Sequence, residues 1–116
     1  MHYPQHTQKL IETNLFCTLN KRQFITIPKV IRNRLHLEAG SELTISMLHG
    51  SKDLLVQKPA KHTLENIMVL SNRGTVRIPQ ELKRYLCLQA GDLFHIYLSA
   101  DERFIVLKYC MNHFPL

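Results

Sequence analysis

Apolar residues fall in short blocks along the chain, and the spacing within those blocks changes twice in the same way. FCTL at 16–19 is followed by a polar break, Asn20-Lys21-Arg22-Gln23, and then by FITI at 24–27. Short runs rich in β-branched and aromatic residues predict strands. A proline then intervenes, and PKVIRNRL takes up helical spacing, with Ile31 and Leu35 four apart on one stripe. The proline keeps Ile27 extended, and its fixed φ suits the first helical position, where no donor is lost. A helix of this length cannot stand alone and must be held by packing. It is expected to stop before Leu37-Glu38-Ala39-Gly40, where the glycine supplies a turn at positive φ, with His36 semi-buried at the helix end. Two further strands, roughly 42–48 and 54–58, close the block across the polar turn at 49–53.

The whole block then repeats. Residues 16–58 align with 67–109 without a gap, so that Leu19, Arg22, Ile27, Pro28, Leu35, Ala39 and Gly40 fall on Leu70, Arg73, Ile78, Pro79, Leu86, Ala90 and Gly91. The second copy reads IMVL, the break Ser71-Asn72-Arg73-Gly74, TVRI, then PQELKRYL with Leu82 and Leu86 as its stripe. Its closing strands fall at roughly 93–98 and 103–109. The fold class expected is mainly β with short helices, built from two β-β-α-β-β repeats. Repetition of this kind marks a unit that cannot bury its apolar face by itself. The expected division is an N-terminal arm at 1–14, repeat 1 at 15–59, a linker at 60–66, repeat 2 at 67–110 and a C-terminal tail at 111–116, the repeats sharing one core.

Composition narrows the function classes. Apolar residues make up 45% of 116, enough for a packed interior, and no run approaches the ~20 residues that span a bilayer. The N-terminus MHYPQHTQKL has no apolar stretch of the secretory type, so the expected location is cytoplasmic. A net charge of +6 favours polyanionic partners, nucleic acid first. Cys17, Cys87 and Cys110 form no CxxC pair and read as free, mostly buried thiols. His2 and His6 stand four apart with no carboxylate or cysteine nearby, which is too few ligands for a metal site. No nucleophile–base pair, paired carboxylates or phosphate-cradling glycine loop is visible, so neither an enzyme nor a cofactor is expected.

The ordered set RGTVRIPQELKRYLCLQAGD followed by DERFIVLKY, with KRQFITIPKVIRNRLHLEAGSE and LLVQKP in the first copy, resembles the AbrB/SpoVT superfamily, whose relatives include MazE-type antitoxins and MraZ regulators. The resemblance implies a swapped-hairpin β-barrel in which two units interleave their hairpins. Most members carry one unit per chain and dimerise; two units in tandem allow one chain to complete a barrel, and self-association remains open. The Asp-x-x-x-Arg of the MraZ branch is missing, with Thr18 and Val69 at the Asp positions.

The resemblance also implies DNA contacts at the breaks, the following strands and the short helices, which places them on Lys21, Arg22, Lys29, Arg32 and Arg34 in the first copy and Arg73, Arg77, Lys83 and Arg84 in the second. Arginine forks onto guanine, and lysine holds phosphate, so these residue types suit a duplex. Within a unit, the Ile-Pro switch is expected to bring the break and the helix start onto one edge. Arg77 stands where the first copy has Thr26, and Glu81 where it has Val30, so unequal halves and an imperfectly palindromic site are expected unless two chains pair. The function expected is a sequence-specific double-stranded DNA-binding transcriptional regulator associated with the nucleoid. The alternative is an antitoxin that neutralises a toxin partner, against which stands the shortness of Cys110–Leu116 after the last hairpin.

Overall fold

The computed structural model describes residues 9–110. The first unit comprises β1 (Leu10–Thr18), β2 (Phe24–Thr26), α1 (Lys29–Arg34), β3 (Glu42–Met47) and β4 (Leu54–Gln57). The second comprises β5 (Met68–Val69), β6 (Thr75–Arg77), α2 (Gln80–Tyr85), β7 (Leu93–Ser99) and β8 (Phe104–Cys110). The β-β-α-β-β order therefore appears twice, mainly β with two short helices.

The units exchange partners. The β7–β8 hairpin of the second unit pairs antiparallel with β1 of the first, and β3 of the β3–β4 hairpin pairs with β5. The two hairpins join through β4 and β8, giving one six-stranded sheet in the order β1-β7-β8-β4-β3-β5. The short strands β2 and β6 leave that sheet and pair with each other as a separate two-stranded ribbon. The described ladders leave β1 and β5 as edges, so they form an open sheet and a ribbon rather than a closed ring. The departure occurs at Asn20 and Ser71, where tight turns redirect the chain between the first and second strands of each unit.

Exchange explains how units this small are stable. A single apolar cluster draws equally on both, including Leu19, Ile25, Ile31, Leu43 and Val56 from one and Leu70, Val76, Ile96, Phe94 and Leu107 from the other. Neither unit encloses this core without the other's hairpin. On the opposite face of the sheet, Leu55, Phe104 and Val106 form a second buried layer against Leu10, Leu48 and Tyr97. Strands β4 and β8 are thus covered on both faces, which is why LLV and FIVL read as continuous apolar runs rather than alternating ones.

Two boundaries differ from expectation. Residues 10–14, placed in the arm, are the first half of β1: Leu10 pairs with Ser99, Ile11 with Leu98 and Glu12 with Tyr97. A bulge at Thr13–Asn14 shifts the register before pairing resumes at Leu15. Asn14 sits at φ 61°, and the Thr13 hydroxyl donates to the Ile96 carbonyl at 2.6 Å. The rest of the arm and the tail at 111–116 lie outside the described residues. The prolines also sit one position earlier than expected. Pro28 and Pro79 are N-caps with extended ψ of 148° and 136°, and the Pro28 carbonyl accepts from the N–H groups of Ile31 and Arg32, both at 3.0 Å.

Each helix ends in a Schellman-type turn. The N–H of Leu37 donates to the Arg32 carbonyl at 2.8 Å and that of His36 to Asn33 at 3.2 Å, and Leu88 and Cys87 repeat the pattern in the second unit. His36 and Cys87 occupy the left-handed position at φ 57° and 55°. Both are exposed rather than semi-buried, because a residue at this position points away from the packed stripe. Gly40 and Gly91 take positive φ in the next turn, as expected.

Candidate nucleic-acid interface

The ribbon is the centre of the cationic surface. Ile25 and Val76 point inward and are buried, which anchors it to the core. Phe24, Thr26, Thr75 and Arg77 occupy the other face, with Phe24 opposite Arg77 and Thr26 opposite Thr75 in the ladder.

The breaks at the ribbon's ends are built alike from different residues. In the first, Asn20 Oδ1 accepts from the N–H groups of Arg22 (2.8 Å) and Phe24 (2.9 Å). In the second, Ser71 Oγ accepts from Arg73 (3.2 Å) and Thr75 (3.1 Å). These Asx- and Ser-turns present Arg22 and Arg73 at equivalent exposed positions. Each turn closes through a left-handed residue, Gln23 at φ 73° and Gly74 at φ 82°.

Antiparallel pairing decides which helix stands beside which break. The Ile27 N–H donates to the Gly74 carbonyl at 2.9 Å, and the Ile78 N–H to the Gln23 carbonyl at 2.8 Å. The helix start of one unit therefore abuts the break of the other. A unit's own break and helix lie at opposite ends of its strand, about 13 Å apart for four extended residues. The within-unit edge expected from sequence is thus replaced by two mixed edges. One carries Lys21 and Arg22 beside α2 with Lys83 and Arg84; the other carries Arg73 beside α1 with Lys29 and Arg32. Gln23 Nε2 donates to Gln80 Oε1 at 2.6 Å across the first of these junctions.

The nine cations are not equally free. Among the described residues, no side-chain partner holds Lys21, Arg22, Lys29, Arg73, Lys83 or Arg84. Arg32 is half-buried, and its Nε donates to the Ile27 carbonyl at 2.8 Å. Its guanidinium fills the space beside Gly74, so that a Cβ there would stand 2.5 Å from Cζ. Arg34 reaches away from the ribbon to Glu102 on the β7–β8 turn, Nη1 to Oε2 at 2.6 Å. Arg77 lies over the Phe24 ring, 4.8 Å from its centroid. Neither the Arg32 lock nor the Arg77 stack was expected from sequence. The glycine at 74 in place of Gln23 was the available signal for the first, and the pairing of β2 with β6 was needed for the second.

Among the described residues no group of His, Cys, Asp or Glu could hold a metal, and His2 and His6 lie outside them. Cys17 is buried in the core, and desolvation pushes its thiol up to about 12, which leaves it an inert apolar filler at neutral pH. Cys87 is exposed and Cys110 half-exposed, so burial holds only for the first of the three thiols. No described helix is long and apolar enough to cross a membrane.

The two β-β-α-β-β units thus exchange hairpins around a cationic ribbon. Residues 18–63 match the family model for MazE, described as antidote-toxin recognition and bacterial antitoxin. The solution structure of PHS018 from Pyrococcus horikoshii is similar over 93% of this chain and 98% of its own, with a TM-score of 0.50 and 16% identity. At that identity the likeness concerns the fold alone. No curated protein matches the chain.

Proposed function

We propose that the chain is a sequence-specific double-stranded DNA-binding transcriptional regulator, in which the two units form one barrel-like body and the ribbon faces the duplex. The observation that carries this reading is the surface around β2 and β6. A two-stranded ribbon fits the major groove, and here it is bracketed by Arg22 and Arg73 on equivalent turns, with Lys21, Lys29, Lys83 and Arg84 nearby, which have no side-chain partners among the described residues. Arg22 and Arg73 supply phosphate contacts that set register, Lys29 and Lys83 extend them along the helices, and Arg77 is aimed at a base edge. Arg32 serves the scaffold, and Arg34 takes part only when it leaves Glu102. The place of action that follows is the cytoplasm, on the nucleoid.

Fluorescence anisotropy with labelled duplexes tests this. Affinity is expected to fall steeply with salt, by about one unit of log–log slope for each phosphate contact. Arg22→Ala and Arg73→Ala should each reduce that slope without changing the melting temperature. Unchanged duplex affinity in a variant with Arg22, Arg73 and Arg77 all reversed to Glu would sink the reading.

The alternative, an antitoxin bound to a toxin, draws on the description of the matched family and on exposed apolar side chains, Ile11 and Val30 at 49% and 51%, on β1 and α1. Stoichiometric co-purification of a small protein encoded beside this one, lost on Val30→Glu, would favour it.

A further inference from the structure

The four outward positions of the ribbon are related in pairs by the repeat: Phe24 with Thr75, and Thr26 with Arg77. The ladder places Phe24 opposite Arg77 and Thr26 opposite Thr75. The pseudo-two-fold axis through the ribbon therefore carries the Phe24–Arg77 rung onto the Thr75–Thr26 rung. These two rungs sit in equivalent places and differ completely in chemistry. One holds a guanidinium on an aromatic platform at 4.8 Å. The other carries two β-branched hydroxyls, and Thr75 has turned its own inward to Ser71 at 2.7 Å.

We propose that this ribbon is an asymmetric reader: one chain recognises a site of two unequal halves, with Arg77 specifying a guanine in one half and the Thr26–Thr75 rung accepting an A·T pair in the other. The inference rests on the DNA-binding reading and deepens it. The Phe24 ring offers no hydrogen bond, so it fixes the plane of the guanidinium while leaving its N–H edge for a bidentate contact to O6 and N7. Among the described residues no carboxylate or carbonyl competes for that edge. The threonine rung presents methyl groups, which suit the thymine methyl rather than the guanine acceptors. Arg22 and Arg73 correspond under the repeat and sit on matching turns, so both halves are held on the backbone alike. Positioning is symmetric, and specificity is not.

Selection from a random duplex library at physiological salt, with the number of chains on each selected duplex measured by light scattering, tests this. For the wild type, the motif per bound chain should be non-palindromic, with guanine fixed in one half. Arg77→Ala should lose about tenfold to hundredfold discrimination at that guanine alone, and its melting temperature should not change, because the side chain is exposed. Phe24→Leu should weaken the same preference while leaving salt dependence intact. The double variant Thr26→Arg/Thr75→Phe, which copies the first rung onto the second, should select a symmetrised motif. A palindromic motif per wild-type chain, or an Arg77→Ala variant with its guanine preference intact, would overturn the inference while leaving DNA binding in place. Failure of the wild type to retain any duplex would instead remove the DNA-binding reading itself.

Discussion

The turns at 20–23 and 71–74 share a backbone and divide its tasks differently. Both redirect the chain out of the main sheet, both are closed by a polar side chain at the first position, and both need a left-handed residue at the fourth. In the second turn that residue is Gly74, and the missing Cβ lets Arg32 of the other unit lie against the backbone. In the first it is Gln23, which tolerates the same φ at a cost and spends its side chain on Gln80. A tandem chain can make such choices independently in its two halves, whereas a homodimer of single units repeats each choice on both sides. Equal scaffolds with unequal contents are what a two-unit chain adds.

The strongest test of that statement concerns the equal part. Leu19 and Leu70 are repeat equivalents, at 0% and 1% exposure in the same core cluster. Truncating either to Ala should cost about 2–5 kcal/mol, the usual range for a buried leucine. Because both belong to the one cluster that the two units share, each lesion should shift one cooperative transition, followed together by circular dichroism and tyrosine fluorescence. A second transition that survives Leu19→Ala would show two separable units and break the shared-core picture.

The unequal part gives smaller effects of opposite sign. Gly74→Ala should destabilise by about 2 kcal/mol, from a left-handed alanine and the loss of the Arg32 bond to the Ile27 carbonyl. Gln23→Ala keeps its Cβ and should cost well under ~1 kcal/mol. Gln23→Gly should stabilise by about 0.5–1 kcal/mol, since glycine relieves the strain that Gln23 carries at φ 73°. Urea midpoints for these variants check the set. Equal losses for the two alanine variants would mean that the Arg32 lock contributes nothing.

The sequence discloses most of the repeated frame, for a physical reason. Pro28, Pro79, Gly40 and Gly91 fix backbone conformation locally, and the stripes Ile31–Leu35 and Leu82–Leu86 mark a buried face, so each signal stands within a few residues of its effect. What escaped depends on distant pairing. The start of β1, LIETN, has no clean alternation because a bulge at Thr13–Asn14 interrupts it, and its partners lie in β7, more than 80 residues away. Likewise the cations could be named singly, but which helix faces which break follows from the antiparallel β2–β6 ladder. The Phe24–Arg77 rung, central to the proposed specificity, is a product of that register.

Arg34 provides the smallest and most discriminating comparison. Its bond to Glu102 is short, 2.6 Å, but the side chains are 56% and 38% exposed, so solvent screens the pair. Arg34→Ala should cost less than ~1 kcal/mol in stability and less still in high salt. The second helix has Tyr85 at this position, and Ser51 stands where the other hairpin has Glu102, so no matching pair exists there. The ion pair ties α1 to the tip of the β7–β8 hairpin, away from the ribbon and its flanking turns. Duplex affinity should therefore drop less for Arg34→Ala than for Arg22→Ala or Arg73→Ala, whose side chains have no partner among the described residues. Equal losses in anisotropy titrations would mean that Arg34 abandons Glu102 on binding, and Glu102→Ala, by freeing it in advance, should then raise affinity.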